Sequence, residues 1–193
     1  MRKIMLLAAL TLAALTAALP ALAQDGQMDE KAMQEMMMKL AMPGAPHQHL
    51  AEAVGKWTAT QVMYMPGAEP MNMTGTYEAE LVLGGRYLVG HYHSSFMGQP
   101  FEGLSVDGYD NAKQEFFSLW FDSMGTGYFV TTGHASADGK TYEYSGTMEM
   151  GPMKIPARTV TTYPDKDTMH FVMYQTMAGQ ESKSMEVTYK RVK

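Results

Sequence analysis

Residues 98–127 read GQPFEGLSVDGYDNAKQEFFSLWFDSMGTG. Two runs rich in aromatic and β-branched residues flank Asp110-Asn111-Ala112-Lys113, a turn-forming group, so the segment is expected to be a β-hairpin closed by a glycine-flanked tail. In a strand, alternate side chains share a face, which places Phe116, Ser118, Trp120 and Asp122 on one side and Phe117, Leu119 and Phe121 on the other. Polar groups mixed with an indole suit a ligand-facing wall. We assign Trp120 and Asp122 inward, and the opposite assignment stays open. The apolar face then needs a cover, either a methionine-rich N-terminal helix or a second subunit in a homodimer.

The same pattern extends in both directions. Strands are expected near 56–65, 72–83, 86–96, 101–109, 114–123, 126–135, 140–148, 155–163, 167–177 and 182–192. They are separated by turns such as Gly84-Gly85, Gly98-Gln99-Pro100, Ala137-Asp138-Gly139-Lys140 and Pro164-Asp165-Lys166-Asp167. With no helices between strands, the fold class is all-β, an antiparallel meander of roughly ten strands. A meander this long removes its exposed edges most economically by closing into a barrel. Barrels of eight to ten strands have room for a small ligand.

Several short motifs occur in order: Gly55-Lys56-Trp57, Leu83-Gly84-Gly85-Arg86-Tyr87-Leu88, Gly98-Gln99-Pro100-Phe101-Glu102-Gly103, Gly108-Tyr109-Asp110-Asn111, Trp120-Phe121-Asp122-Ser123-Met124 and Met185-Glu186-Val187-Thr188-Tyr189-Lys190-Arg191. Together they resemble bacterial domain-of-unknown-function family 1579 over residues 43–192. The resemblance implies a lipocalin-like, or calycin, barrel. It also implies that Trp57 packs across the closed end with Arg191 stacked on it. The layout is similar to the haem-binding nitrobindin barrels as well, but those need a histidine near the last strand. Ser182–Lys193 has none, and His170 lies one strand earlier, so haem is not expected.

No histidine stands at catalytic spacing from a serine or aspartate, and neither Gly-x-Ser-x-Gly nor His-Glu-x-x-His occurs. Glu102, Asp107 and Asp110 fall where strand ends and turns place acids. No catalytic residue is named, and the reading leans away from an enzyme.

The chain contains 21 methionines and no cysteine. Disulfides, zinc fingers and iron-sulfur clusters are therefore excluded, and the core alone must hold the fold. His91 and His93 share a strand face, and Met63-Tyr64-Met65 and Met71-Asn72-Met73 repeat that spacing with thioethers, ligands that favour Cu(I). Methionine also simply fills irregular cores.

At the N-terminus, Arg2 and Lys3 precede an apolar run ending at Ala21-Leu22-Ala23, which reads as a secretory signal over residues 1–23. The rest divides into a methionine-rich helical segment at 24–45 and a barrel domain at 46–193. Asp29 is a plausible N-cap for a helix bearing Met33, Met36, Met37 and Leu40, and Pro43-Gly44 stops it. A formal charge of −5 and no basic run argue against nucleic acid, and no segment of the mature chain suits stable membrane insertion.

The expectation is an exported, periplasmic or secreted barrel that binds a small, partly apolar molecule through Trp57, Ser118, Trp120 and Asp122, with no cofactor. The alternative is soft-metal binding or buffering, with copper held by His91, His93, Met63, Met65, Met71 and Met73.

Overall fold

The computed structural model describes residues 29–193; the signal read at residues 1–23 lies outside them. Two helices and a single turn of 3-10 helix precede the sheet: α1 (Glu30–Ala41), α2 (Ala45–Leu50) and the 3-10 turn Ala51–Ala53. Ten strands follow: β1 (Gly55–Met63), β2 (Met71–Val82), β3 (Tyr87–Phe96), β4 (Gln99–Asp110), β5 (Glu115–Asp122), β6 (Phe129–Ala135), β7 (Thr141–Met150), β8 (Met153–Asp165), β9 (Thr168–Met177) and β10 (Gln180–Arg191). Each pairs antiparallel with its neighbour in sequence, and β1 pairs with β10 to close the barrel.

Residues 41–193 form one compact unit, and α1 belongs almost wholly to the segment before it. In α1 the Asp29 carbonyl accepts from Met33 N at 2.9 Å, and its carboxylate accepts from Lys31 N at 3.4 Å. The helix buries none of its own residues: Met37 and Met38 are each 60% exposed.

The helical turns close one end of the barrel. Pro46 stands in the first turn of α2, where its missing N–H costs nothing. Burial holds His47 below its ordinary pKa, so the neutral ring accepts at Nδ1 from Gly44 N at 3.1 Å. Leu50 and Ala53 pack into the same core as Trp57, which is 1% exposed and donates its indole N–H to the Ala53 carbonyl at 2.9 Å.

Arg191, the last residue of β10, stacks on that indole, with its guanidinium carbon 4.0 Å from the ring centroid. It also donates to the carbonyls of Glu52, Val54 and Lys166. Gly55 has φ +118, and a Cβ there would meet the Arg191 guanidinium at 2.9 Å. The glycine of Gly-x-Trp is thus required by both its backbone angle and its neighbour.

Replacing Arg191 by alanine should lower stability by about 2–4 kcal/mol, because three carbonyls lose a charged donor and the indole loses its cover. Arg191→Lys should recover only part of this, since an ammonium cannot span the same carbonyls. Urea denaturation followed by Trp57 fluorescence measures both.

Candidate functional site

Ladder register determines which side chains enter the barrel. Trp57, buried at the closed end, pairs with Tyr77 and Arg191. Following partners around the wall puts Gly103, Ser105, Asp107 and Tyr109 of β4 beside Asp122, Trp120, Ser118 and Phe116 of β5, all facing inward. Phe117, Leu119 and Phe121 face out. Phe117 lies over Gly108, 6.2 Å from the Tyr87 ring between centroids, so the outer strip is partly self-covered.

The interior is not filled. Ser118, Asp107, Tyr144, Phe171 and Tyr189 point inward at mid-height, yet each keeps accessible surface and is only half-buried. A barrel packed solid would bury them fully. Glycines make the room: a Cβ at Gly90 would run into the Tyr77 ring, and one at Gly103 into the Trp120 indole. Each ring therefore lies along the wall over the neighbouring strand's glycine rather than across the lumen.

The four residues expected to meet a ligand fall into different roles. Trp57 is sealed into the closed end and offers the lumen almost no surface. Asp122 accepts the Trp120 indole N–H at 3.0 Å through one oxygen and the Met124 backbone N–H at 2.9 Å through the other. It thereby orients the indole and caps the β5 turn. Trp120 and Ser118 face open space, Trp120 nearer the end opposite α2.

The polar centre of the lumen is Asp107, which sequence reasoning assigned to a turn or strand end. The structure corrects that placement: Asp107 lies within β4, opposite Ser118. Ser105 Oγ donates to it at 3.0 Å, and Ser118 also hydrogen-bonds to it. Ser105 thus spends its only proton on the carboxylate, and the Tyr77 hydroxyl 3.2 Å away donates to Ser105 in turn. Burial pushes the Asp107 pKa up from 3.8 to about 6, and the two serine hydrogen bonds partly oppose the shift. Burial likewise raises the phenols of Tyr77, Tyr142, Tyr144, Tyr163 and Tyr189, so all remain protonated donors. The Tyr142 hydroxyl is buried with no partner among the described residues.

The candidate metal set divides across the wall. His91 and His93 are exposed on the outer face of β3, where His93 stands 3.9 Å from Glu102. With Lys56, Glu78 and Glu80 they line a shallow groove outside the barrel. Met65 is 41% exposed in the loop after β1. Met63, Met71 and Met73 point inward, so they cannot share an ion with the histidines. Among the described residues, no three His, Asp or Glu side chains gather to hold a metal.

The register reveals a different grouping. Met71 pairs with Met63, Met63 with Met185, and Met185 with Met173, giving one continuous inward row across β2, β1, β10 and β9. The Met185 sulfur accepts from Gln61 Nε2 at 2.9 Å, and the Gln61 carbonyl oxygen accepts from Tyr92 at 2.8 Å.

A closed ten-stranded antiparallel meander with an accessible interior and a helical plug defines a lipocalin-like barrel. The chain belongs to the family described as Protein of unknown function (DUF1579), whose model matches residues 42–191. Among solved structures it is similar to Rv2717c from M. tuberculosis, with a TM-score of 0.59 and 13% sequence identity over 79% of this chain and 100% of that one. It is also similar to the S-type phycobiliprotein lyase CPES from Guillardia theta, with a TM-score of 0.54 and 10% identity over 81% of this chain and 97% of that one. At these identities the likeness is one of fold. Comparison with curated protein sequences gives no match. No helix among the described residues is long and apolar enough to cross a membrane.

The raised Asp107 pKa carries a stability consequence. The folded chain holds this proton more tightly than the unfolded chain, so stability should fall as pH rises from 3.8 to about 6 and stay lower above that. Asp107→Asn should remove this slope and gain up to about 2 kcal/mol over wild type at pH 7, with no gain at pH 4. Denaturant midpoints across that range measure the difference.

Proposed function

We propose that this barrel binds a small, partly apolar molecule in its lumen and that it does so as an exported protein. The observation that carries the reading is the half-buried state of inward side chains at mid-height, because it implies space lined by rings and a few polar groups. The likeness to a barrel that serves as a phycobiliprotein lyase supports it at the level of fold. Trp120 and Ser118 form one side of the space, and the methionine row forms the softer opposite side. Thioether side chains adapt to ligands of irregular shape. Asp122 contributes by holding the indole.

Titration with the neutral fluorophore N-phenyl-1-naphthylamine tests the reading. One molecule per barrel should bind, with a rise in probe emission and quenching of Trp120. Thr161→Trp, which fills the lumen from β8, should abolish binding while the far-ultraviolet circular dichroism stays unchanged. Probe binding that survives Thr161→Trp, or no binding to wild type, would refute it.

The methionine row favours a second reading, Cu(I) binding by thioethers without histidine. Neighbouring inward residues on adjacent strands stand about 4.5–5.5 Å apart at Cβ, within reach of flexible thioethers converging on one soft ion. Competition with a Cu(I) chelator should show one bound ion, weakened at least about tenfold by Met63→Leu or Met185→Leu and untouched by His91→Ala. Equal affinity in all variants would dismiss it.

A further inference from the structure

The lumen holds a carboxylate that forms no ion pair among the described residues. Among the described residues, three charged side chains face inward: Arg191, Asp122 and Asp107. Arg191 is committed to Trp57 and three carbonyls at the closed end, and Asp122 to the indole and a turn amide. Asp107 receives only the hydroxyls of Ser105 and Ser118. No lysine, arginine or histidine among the described residues forms an ion pair with it, and the groups whose protons its charge helps to hold are phenols.

Those phenols set its surroundings. The Tyr77 hydroxyl reaches Asp107 through Ser105, and the Tyr189 ring packs on Tyr77 with centroids 5.6 Å apart. Tyr144 and Tyr163 both pack on Tyr142, and the Asp107 charge adds to burial in raising all four phenols. They come from β2, β7, β8 and β10, so the aromatic lining is drawn from several parts of the wall. A partly desolvated carboxylate gains when a cation joins it. Ring faces attract the same kind of cation through their quadrupoles. The two requirements coincide at one place, in a lumen whose remaining inward polar groups, among them Gln61, Thr131, Thr159 and Thr161, are uncharged.

We propose that the lumen ligand is an organic ammonium: an apolar or aromatic body carrying one protonated amine, whose N–H groups donate to the Asp107 carboxylate within the tyrosine cage. This rests on the lumen-binding reading above and names the chemistry that the site selects. The body would lie along Trp120 and the methionine row, and the charged head would sit deeper, toward the closed end. Anions of the same shape would be rejected by Asp107.

The groups facing Asp107 are Ser105 and Ser118, which do not titrate, and phenols that ionise only at high pH. Asp107 is therefore the one group whose charge changes between pH 5 and pH 8 at this point in the lumen.

The test compares three molecules of one shape, 1-naphthylmethylamine, 1-naphthylmethanol and 1-naphthoate, by isothermal titration calorimetry on the intact protein. At pH 8 the amine should bind wild type at least about tenfold more tightly than the alcohol, and the naphthoate should bind weakest. The amine's advantage over the alcohol should shrink at pH 5, where Asp107 is protonated and the amine is not changed. Asp107→Asn should erase the advantage at pH 8, its fold checked by near-ultraviolet circular dichroism. The wild-type pH comparison decides the matter by itself if that variant misfolds.

Equal affinity for amine and alcohol at pH 8, or an advantage undiminished at pH 5, would overturn the ammonium proposal and leave lumen binding standing. Binding of none of the three, together with no binding of N-phenyl-1-naphthylamine, would overturn both.

Discussion

Closure of the barrel depends on one side chain at the end of the last strand. Arg191 lies on the Trp57 indole and draws in carbonyls from the segment before β1 and from the β8–β9 turn. It thus joins the first strand, the last strand, the helical plug and a distant hairpin at one point. A sheet of ten strands that failed to meet there would present two open edges, each a row of unpaired backbone groups. The indole is the right partner because it is broad enough to seal the barrel end and its N–H finds the Ala53 carbonyl. The indole thus has both its polar and its apolar demands met at the plug.

The second organising constraint is the pairing of large with absent side chains. Tyr77 rests over Gly90 and Trp120 over Gly103, on neighbouring strands. Rings that would otherwise cross the axis lie flat against the wall, and the interior remains open while being aromatic. The outer wall repeats the device with Phe117 over Gly108. Glycine in a strand usually weakens it, so such positions mark places where another group must come close. Here that group is a ring, and the gain is accessible volume inside.

Much of the fold is legible in the sequence because turn chemistry and strand alternation are local. The ten strands lie within a few residues of where Gly, Pro, Asn and Asp clusters bracket them, and the helix stopped by Pro43-Gly44 ends at Ala41. The inward face of β5 follows from alternation and from the polar residues that share it. The harder features depend on register, which is not local. His91 and His93 share a face, as spacing requires. Which face is decided by Gly90 and Tyr92, whose inward seats send the histidines outside. Asp107 looks like a turn acid because Gly108 follows it. Counting back from an inward Ser118 through the Asp110–Lys113 turn would have placed it inside. The methionine row appears in no motif, since its four members come from four strands and meet only when β1 joins β10.

The sheet order has a consequence for how the chain reaches its final form. Every ladder but one joins strands adjacent in sequence, so the hairpins from β1–β2 through β9–β10 can form with short loops and little closure entropy. The exception ties Trp57 to Arg191 across nearly the whole domain, and its partner strand is the last of the ten to be synthesised. Until then β1 has a free edge, the helical plug has no guanidinium to hold it, and the tyrosine-lined interior is exposed as a trough. A chain lacking β10 would keep most of its hydrogen bonds and still lack a barrel. Its unsealed seam would make it a template for pairing with other chains.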